Sequence, residues 1–559
     1  MRLELDEVRR LTGPNLLWDE PGAILDVLID GVDKLQVIHT WQHWMDKILL
    51  QFEWQQSHTY RLYSGGASMA LSAPMDALYS ACDLAELAWD CCVAELIGDQ
   101  VVDWQARLEV LRQELAQELN PPLITLLKQA KLHNVSAISD DDELSLGMGP
   151  SVKVWPIRAL PELKTLDWSR FSNIPRAFIT GTNGKSTCVR LASEIAKAAG
   201  YCAGVTSTDF IKVGDEIIDS GDYSGPGGAR MLLRNPRTEM AFLEVARGGI
   251  LRRGLPIDNV NVALVTNVAS DHLGQYGINT VEELAQVKFV VSKGLDETGL
   301  LVTNADNYLV VEQAKHLNCD ICWFSETAEN PLVVKNLNSG LPVVYIDNDY
   351  LVYADKRGTK SKVLKINDIP MTLQGAARHN VQNALGVVGL CMALKLPLEA
   401  IQSGLKSFGS DAKDNPGRGN IYQYNGATVM IDFAHNAHSV QAMINTAKQM
   451  QGKRYIVMFS NAGDRSDNEI RQLSKAAAQL DADTYIIAEI EKYTRGRDPQ
   501  ELIDLPSEAL LESGVSSQQI KTVACPLDGA KLAKKMAQEG DILVLLTLDQ
   551  RELVHQLFN

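Results

Sequence analysis

Arg176-Ala-Phe-Ile-Thr-Gly-Thr-Asn-Gly-Lys-Ser-Thr187 is the stretch on which the reading of this chain turns. Phe178 and Ile179 close a short apolar run of strand character. Thr180 to Gly184 make a loop of small residues, and Lys185-Ser186-Thr187 opens a helix that continues as CVRLASEIAKAAG. Strand, glycine loop and helix are what a nucleotide phosphate requires. Backbone N–H groups and the helix N-terminus face the phosphates, a lysine ammonium neutralises them, and the hydroxyl beside it can hold Mg²⁺. Thr182, Asn183, Gly184, Lys185, Ser186 and Thr187 are therefore the candidate nucleotide contacts. The competing reading is a helix start that happens to carry Lys-Ser, because the longer phosphate-loop pattern wants glycine where Ile179 stands.

Outward from this stretch the pattern alternates. Apolar runs at 240–245, 261–267, 299–304 and 319–324 read as strands, and 185–199 and 281–293 as helices. That alternation predicts a mostly parallel sheet covered on both faces. Residues 332–372, with LPVVYID and YLVYAD, read as an antiparallel decoration. A helix at 379–394 precedes the link Asp414-Asn-Pro-Gly-Arg-Gly419, the best internal boundary. Beyond it a second alternating set appears, with strands at 427–432, 454–459, 484–489 and 541–547. The expectation is an α/β protein in three parts. A doubly wound P-loop domain occupies 166–413 and a Rossmann-like domain 414–559. An α+β N-terminal domain fills 1–165 and holds seven of the nine tryptophans. Leu108, Leu111, Leu115 and Leu119 form one helical stripe there. The tryptophans suit either a buried core or a binding face.

The 559 residues are 45% hydrophobic and 22% charged, as in globular chains that bury sizeable cores. A net charge of −17 argues against a general binder of nucleic acid or anionic membrane. The start is charged from Arg2 and reads as no secretory leader, and no apolar run approaches the ~20 residues of a membrane span. Nine scattered cysteines suit reduced thiols, so a cytoplasmic protein is expected. Cys319-Asp-Ile-Cys322 reads as a strand with two thiols, and Asp140 to Asp142 as a solvated acidic face, in preference to metal sites.

Three further positions carry chemistry. Glu244 ends a strand, and in a parallel sheet that end gathers ligands, so it could coordinate Mg²⁺ beside the loop or simply be a surface charge. His272 follows Asp271 after another strand, as a metal ligand or a capping residue. Lys288 sits on an apolar helix face, where a bare ammonium is costly to bury and needs a reason.

TGTNGKST, LEVARGG, TNVASDHLGQYG with VEELAQVK, GAARHNVQNA, NPGRG and DFAHNA, in that order, resemble the motifs of the Mur ligase family from about 170 to 559. Within that family the chain is most similar to the Mur-like half of the cyanophycin synthetase branch. TSTDFIKVGDEII, GDYSGPGGA, LEVARGGILRRGL, GDRSD and RGR carry this, with LTGPNLLWDEPGAILDV at the start. The branch carries an ATP-grasp ligase where only about 30 residues (135–165) stand here, so the resemblance leaves room for a separately encoded ATP-grasp partner. The resemblance implies an ATP-dependent ligase that joins an acid to an amine through an acyl phosphate, with two Mg²⁺ sites. Lys185 would hold phosphates, Ser186 and Glu244 one Mg²⁺, and His272 and Lys288, as its carbamate, a second. Asn383 matches the adenine contact, and Arg418 and Asp432 match nucleotide contacts from the last domain. His435 is the single functional histidine favoured over a His435–His438 metal pair. Thr208, Asp209, Arg247, Asp464, Arg465 and Arg495 are candidates for the substrates, an amino acid (arginine-like by resemblance) and an amino-acid or peptide carboxylate. A P-loop kinase or ATPase, and a non-catalytic partner subunit, are the alternatives. Self-association is left open.

Overall fold

The computed structural model describes residues 1–100 and 102–559. Its largest element is an 11-stranded sheet. The strand Arg176–Thr180 lies between Met240–Glu244 and Val260–Val265, parallel to both. Parallel pairing continues to Ala203–Thr206 on one side and through Leu295–Asn304, Asp320–Ser325 and Val343–Asp347 on the other. All five residues of Arg176–Thr180 and all five of Met240–Glu244 are buried. That explains why these strands read as unbroken apolar runs: both faces are covered, as parallel sheets require. One face packs on Lys185–Ala198 and Arg378–Ala393. The chain order reverses around Arg176–Thr180, so the loop after it opens at the topological switch point where ligands bind.

The reading of 332–372 as a decoration needs correction. Pro331–Ser339 is a helix, and Val343–Asp347 is a parallel strand of the main sheet. Only Tyr350–Ala354 and Lys360–Lys365 run antiparallel. Val343–Asp347 is too short to fix its direction from sequence alone, and the helix before it supplies the crossover that a parallel pair demands. A second antiparallel hairpin, Phe210–Val213 with Glu216–Ser220, closes the opposite edge. The predicted helix 281–293 ends its α-helical part at Phe289 and tightens to a 3₁₀ turn over Val290–Gly294.

Residues 420–546 build a 6-stranded sheet that is parallel apart from the first pair, Asn420–Tyr424 with Ala427–Asp432. The chain begins with a 4-stranded antiparallel sheet packed on the helices Lys34–Phe52 and Leu78–Ile97. Trp41, Trp44 and Trp89 are core residues there. Of the leucine stripe, Leu108 and Leu111 are buried, whereas Leu119 lies beyond the helix end and is exposed.

This first sheet is seamed to the large one. Thr12 N donates to Arg253 O, and Leu255 N donates to Pro14 O. A Cβ on Gly13 would stand 2.4 Å from Leu255 O, so only glycine allows the two backbones to lie this close. Arg9, almost fully buried, pairs with Asp26 at 2.7 Å and donates to Leu251 O. The acidic run is part of the same seam and is not simply solvated. Asp140 accepts from Arg234 at 2.7 Å, and Asp141 takes both terminal nitrogens of Arg10. Cys322 is buried in its strand, and all nine cysteines are free.

Candidate active site

Two glycines set the phosphate loop. A Cβ on Gly181 would lie 1.9 Å from Thr266 Oγ1, and on Gly184 (φ +88°) 2.2 Å from Asn383 Oδ1. Gly184 also stands at the N-cap of Lys185–Ala198 and offers no side chain to its first N–H groups, leaving them for a ligand. Thr266 Oγ1 and Asn267 Nδ2 both donate to Asn183 O, and Asn183 N donates to Asn267 Oδ1. The end of one strand thus straps the loop that follows another. Lys185 Nζ rests on Thr182 O at 3.1 Å.

Ser186 Oγ donates to Glu244 Oε2 at 2.9 Å and lies 3.2 Å from Thr208 Oγ1. Glu244 Oε1 is buried without a partner. Burial raises the pKa of this carboxyl, and Lys185 opposes the shift. An orphaned carboxylate oxygen beside two hydroxyls is a fitting donor set for a hard divalent cation.

A second cluster lies across the loop. Donor atoms of Asp271, His272 and His435 fall within 4.8 Å of one another. Burial lowers both imidazoles to about 4, so both are neutral at pH 7. For Asp271 burial acts upward, but His435, protonated in the acid range where this carboxyl titrates, and Arg465 outweigh it and hold the carboxyl well below its usual range. Arg465 donates to Asp271 Oδ1 at 2.7 Å, and its Nη2 lies 3.1 Å from His272 Nε2. A cation here would require that guanidinium to withdraw. Lys288 stands outside this donor group, buried, with Nζ donating to Gly181 O at 2.9 Å. Burial, reinforced by Lys185, lowers it to about 7.

The 6-stranded sheet closes the site. Arg418 Nη2 reaches Ser186 Oγ and Thr208 Oγ1, each at 3.4 Å. Asn183 Nδ2 contacts Asn436 Oδ1 and His438 Nδ1. Burial raises Asp432 to about 6. Between the two sheets lies a cavity of about 590 Å³. Thr182 to Thr187, Thr208, Asp209, Glu244, Arg247, His272, Lys288, Asn383, Arg418, Asp432, His435 and Asp464 all line it.

Three candidates stand differently from their expectation. Asp209 lines the cavity but is held by arginines, with Arg190 at 2.5 Å on one oxygen and Arg551 at 3.0 Å on the other. Arg465 lies behind the lining, on Asp271. Arg495 is exposed and stacks over Tyr493, which does line the cavity. Sequence reasoning passed over Asp271, Asn267, Arg190 and Arg551. Asp271 had a signal in its place beside His272. Arg190 and Arg551 had none, because their role depends on a contact made only after folding.

A phosphate loop and a partly closed cavity between two α/β sheets define a two-lobed nucleotide-type enzyme cleft. The sequence profile of the Mur ligase middle domain matches residues 179–391 and that of the Mur ligase, glutamate ligase domain matches 417–547, so the chain belongs to the Mur ligase family. It is 37% identical to the cyanophycin synthetase of Geminocystis herdmanii over 341 residues, 61% of this chain and 38% of that one. It thus spans well under half the length of such relatives. A UDP-N-acetylmuramoyl-L-alanyl-D-glutamate–2,6-diaminopimelate ligase of Clostridium botulinum is 23% identical over 68% of this chain and 77% of its own. E. coli FolC in complex with DHPP and ADP shares the fold, with a TM-score of 0.52 and 19% identity over 68% of this chain and 87% of that one. No helix among the described residues is long and apolar enough to cross a membrane.

Proposed function

We propose that the chain is an ATP-dependent amide ligase that activates a carboxylate as its acyl phosphate and transfers the acyl group to an amino acid. The observation that carries this reading is the shared cavity. A phosphate loop with an uncapped helix start faces Asp432, at the end of a strand of the second sheet, and Arg418 and His435 in the loops beside it, across the cavity of about 590 Å³. A phosphoryl transfer that stops at ATP would not need the second sheet.

In this reading Lys185 and the N–H groups at 184–187 neutralise the β- and γ-phosphates, and Asn383 beside Gly184 borders the base. A carboxylate oxygen of the acid attacks the γ-phosphorus, and the bond from that phosphorus to the β-phosphate oxygen breaks to leave ADP. The amine nitrogen then attacks the acyl carbon, and the bond from carbon to the phosphate oxygen breaks. The proton lost by nitrogen needs a neutral base. His435 suits this: Nδ1 lies 3.0 Å from Phe433 O, which can only accept, so Nε2 presents the lone pair. Arg247 and Asp464 border the space left for acid and amine, and Arg465, candidate for the amino acid by its sequence, would have to leave Asp271 to reach it. Ser186, Thr208 and Glu244 would hold a Mg²⁺ ion, whose charge offsets that of the phosphate oxygens. His272 and Lys288, the latter as its carbamate, are the proposed second pair, and the amine lowered to about 7 supports that modification by leaving much of it unprotonated.

The likeness to cyanophycin synthetases supports an amino-acid or peptide carboxylate as the acid and an arginine-like amine, in a cytoplasmic setting, with a separately encoded ATP-grasp ligase as partner. The three-part division 1–165, 166–413 and 414–559 belongs to the same reading. The test is phosphate release from ATP and Mg²⁺ over a matrix of acids and amino acids, with the mass of each product and Lys185→Ala as the blank. Release that needs both reactants, with a product mass equal to their sum less water, is the expected result. Release with the acid alone, or a stable phosphorylated product, would replace the ligase by a kinase or ATPase.

A further inference from the structure

We propose that Arg61, on the edge strand His58–Tyr63 of the first sheet, is a positioning residue that sets the loop bearing Asp271 and His272 and the helix bearing Lys288 against the phosphate loop. The inference rests on the ligase reading for its kinetic consequence and on geometry alone for its structural one.

The loop after Val265 has an unusual backbone. His272, Tyr276 and Gly277 all take positive φ, at 52°, 55° and 65°. Left-handed backbone at two non-glycine residues is held only where surroundings enforce it. Within the loop, Gly274 N donates to Ile278 O and Ile278 N to Gln275 O. Part of the remaining constraint comes from the helix Arg247–Arg253, whose Arg247 donates to Gln275 Oε1, and part from the first sheet. Arg61 Nη2 donates to Tyr276 O at 3.2 Å and Gly277 O at 3.1 Å, capping two carbonyls that the turn leaves without a backbone partner. Tyr63 packs on the same point: a Cβ on Gly277 would lie 2.4 Å from its ring. Arg9 stacks over the Tyr276 ring at 5.0 Å, and Arg252 Nε donates to the Tyr276 hydroxyl at 2.6 Å.

The other arm of Arg61 reaches the helix. Nη1 donates to Glu283 Oε1 at 3.3 Å. The second oxygen of Glu283 accepts from Asn279 N and Thr280 N, and with Thr280 it forms the capping box that starts Val281–Phe289. Lys288 lies five residues further along that helix and donates to the phosphate loop at Gly181 O. One guanidinium, only 17% exposed, therefore joins the turn after His272 to the cap of the Lys288 helix. Its planar fork suits this, because three acceptors on two elements need donors fixed at an angle, which a lysine lacks. The first sheet contributes no residue to the cavity lining, so its influence on the site must pass through contacts of this kind.

The test uses the full chain with Arg61→Ala and Arg61→Lys. Hydrogen exchange is read first, because it needs no turnover. Arg61→Ala should raise exchange on the order of tenfold at 272–278 and 281–284 while 176–180 and 185–198 keep their protection. Unchanged exchange at 272–284 would overturn the proposal. A uniform rise over the whole chain would do so too, since it would mean a merely destabilised fold. With turnover established, kcat of Arg61→Ala should fall about 100-fold with ATP affinity preserved. Low-millimolar guanidinium should restore part of that rate, whereas a merely weakened fold would not respond, since denaturant at that concentration leaves stability all but unchanged. Arg61→Lys should fall between the two, and equal rates for Arg61→Ala and wild type would refute the kinetic role. If wild type turns over no pair of reactants, the ligase reading fails by itself, and the exchange result still decides the brace.

Discussion

Replacing Asp209 by asparagine separates two roles for one residue, because position suggests a substrate contact and geometry a structural charge. Its carboxylate meets Arg190 at 2.5 Å and Arg551 at 3.0 Å, with Arg418 at 3.9 Å. Burial acts to raise this carboxyl, yet the three arginines outweigh it and hold it below its usual range. Arg190 is more dependent still. Its side chain is 4% exposed, and burial lowers it to about 10. Asp209→Asn keeps the shape and removes the charge, leaving Arg190 with Asn415 Oδ1 and a long contact to Pro416 O. Breaking a buried pair on one side costs about 3–5 kcal/mol. In units of 150–250 residues each kcal/mol shifts melting by roughly 2–4 °C, so a loss on the order of 10 °C is expected. Arg551 opens the helix Arg551–Gln556 that follows the 6-stranded sheet, and Asp209 lies in a turn of the large one, so the joint unfolding of the two parts should also split into two calorimetric transitions. Calorimetry and Michaelis kinetics on the same preparation check this. A melting point within a degree or so of wild type, together with a raised KM for one reactant, would refute the structural role and return Asp209 to substrate binding.

Other perturbations probe separate parts of the site. Gly184→Ala forces a left-handed backbone on an L-residue, at roughly 1–2 kcal/mol, and drives a methyl into Asn383 Oδ1, so nucleotide affinity measured by calorimetry should fall more than 10-fold, and unchanged binding would refute the assigned loop geometry. Glu244→Gln should abolish the dependence of nucleotide binding on Mg²⁺ while leaving the chain folded, because the neutral amide keeps the Ser186 hydrogen bond and loses the anionic donor; an unaltered Mg²⁺ titration would count against that site. His379 lines the cavity, partly buried, and desolvation lowers it from 6.5 to about 4. Between those values the unfolded chain binds a proton that the folded chain refuses. Stability therefore falls as pH drops from 6.5 to 4, by up to about 3 kcal/mol for this residue, and denaturant midpoints across that window should flatten in His379→Gln.

Much of this was legible because it is local. The phosphate loop is contiguous, and the parallel strands announce themselves as apolar runs between helices. Glu244 ends, and His272 follows, a strand that flanks Arg176–Thr180, so their meeting at one end of the sheet follows from topology. Direction and partnership were harder. Val343–Asp347 has the composition of any short strand, and only the preceding helix makes it parallel. Asp209 looks like a site residue because it follows Thr208, and nothing near it in sequence foretells Arg551, 342 residues away. The acidic run Asp140 to Asp142 looks solvated for the same reason, until Arg10 and Arg234 arrive from two other elements.

The seam between Thr12–Pro14 and Arg253–Leu255 has a consequence for synthesis on the ribosome. The first sheet emerges from the exit tunnel well before its dock exists. Translation at ~5–20 residues per second puts some 240 residues, or roughly 12–50 s, between Arg9 and the Leu251 carbonyl it will meet. During that interval the nascent chain displays the half of a buried interface that includes the Arg9–Asp26 pair. A chaperone that dwells on this face, or a pause before residue 250, would change the yield of native protein without altering a single contact in it.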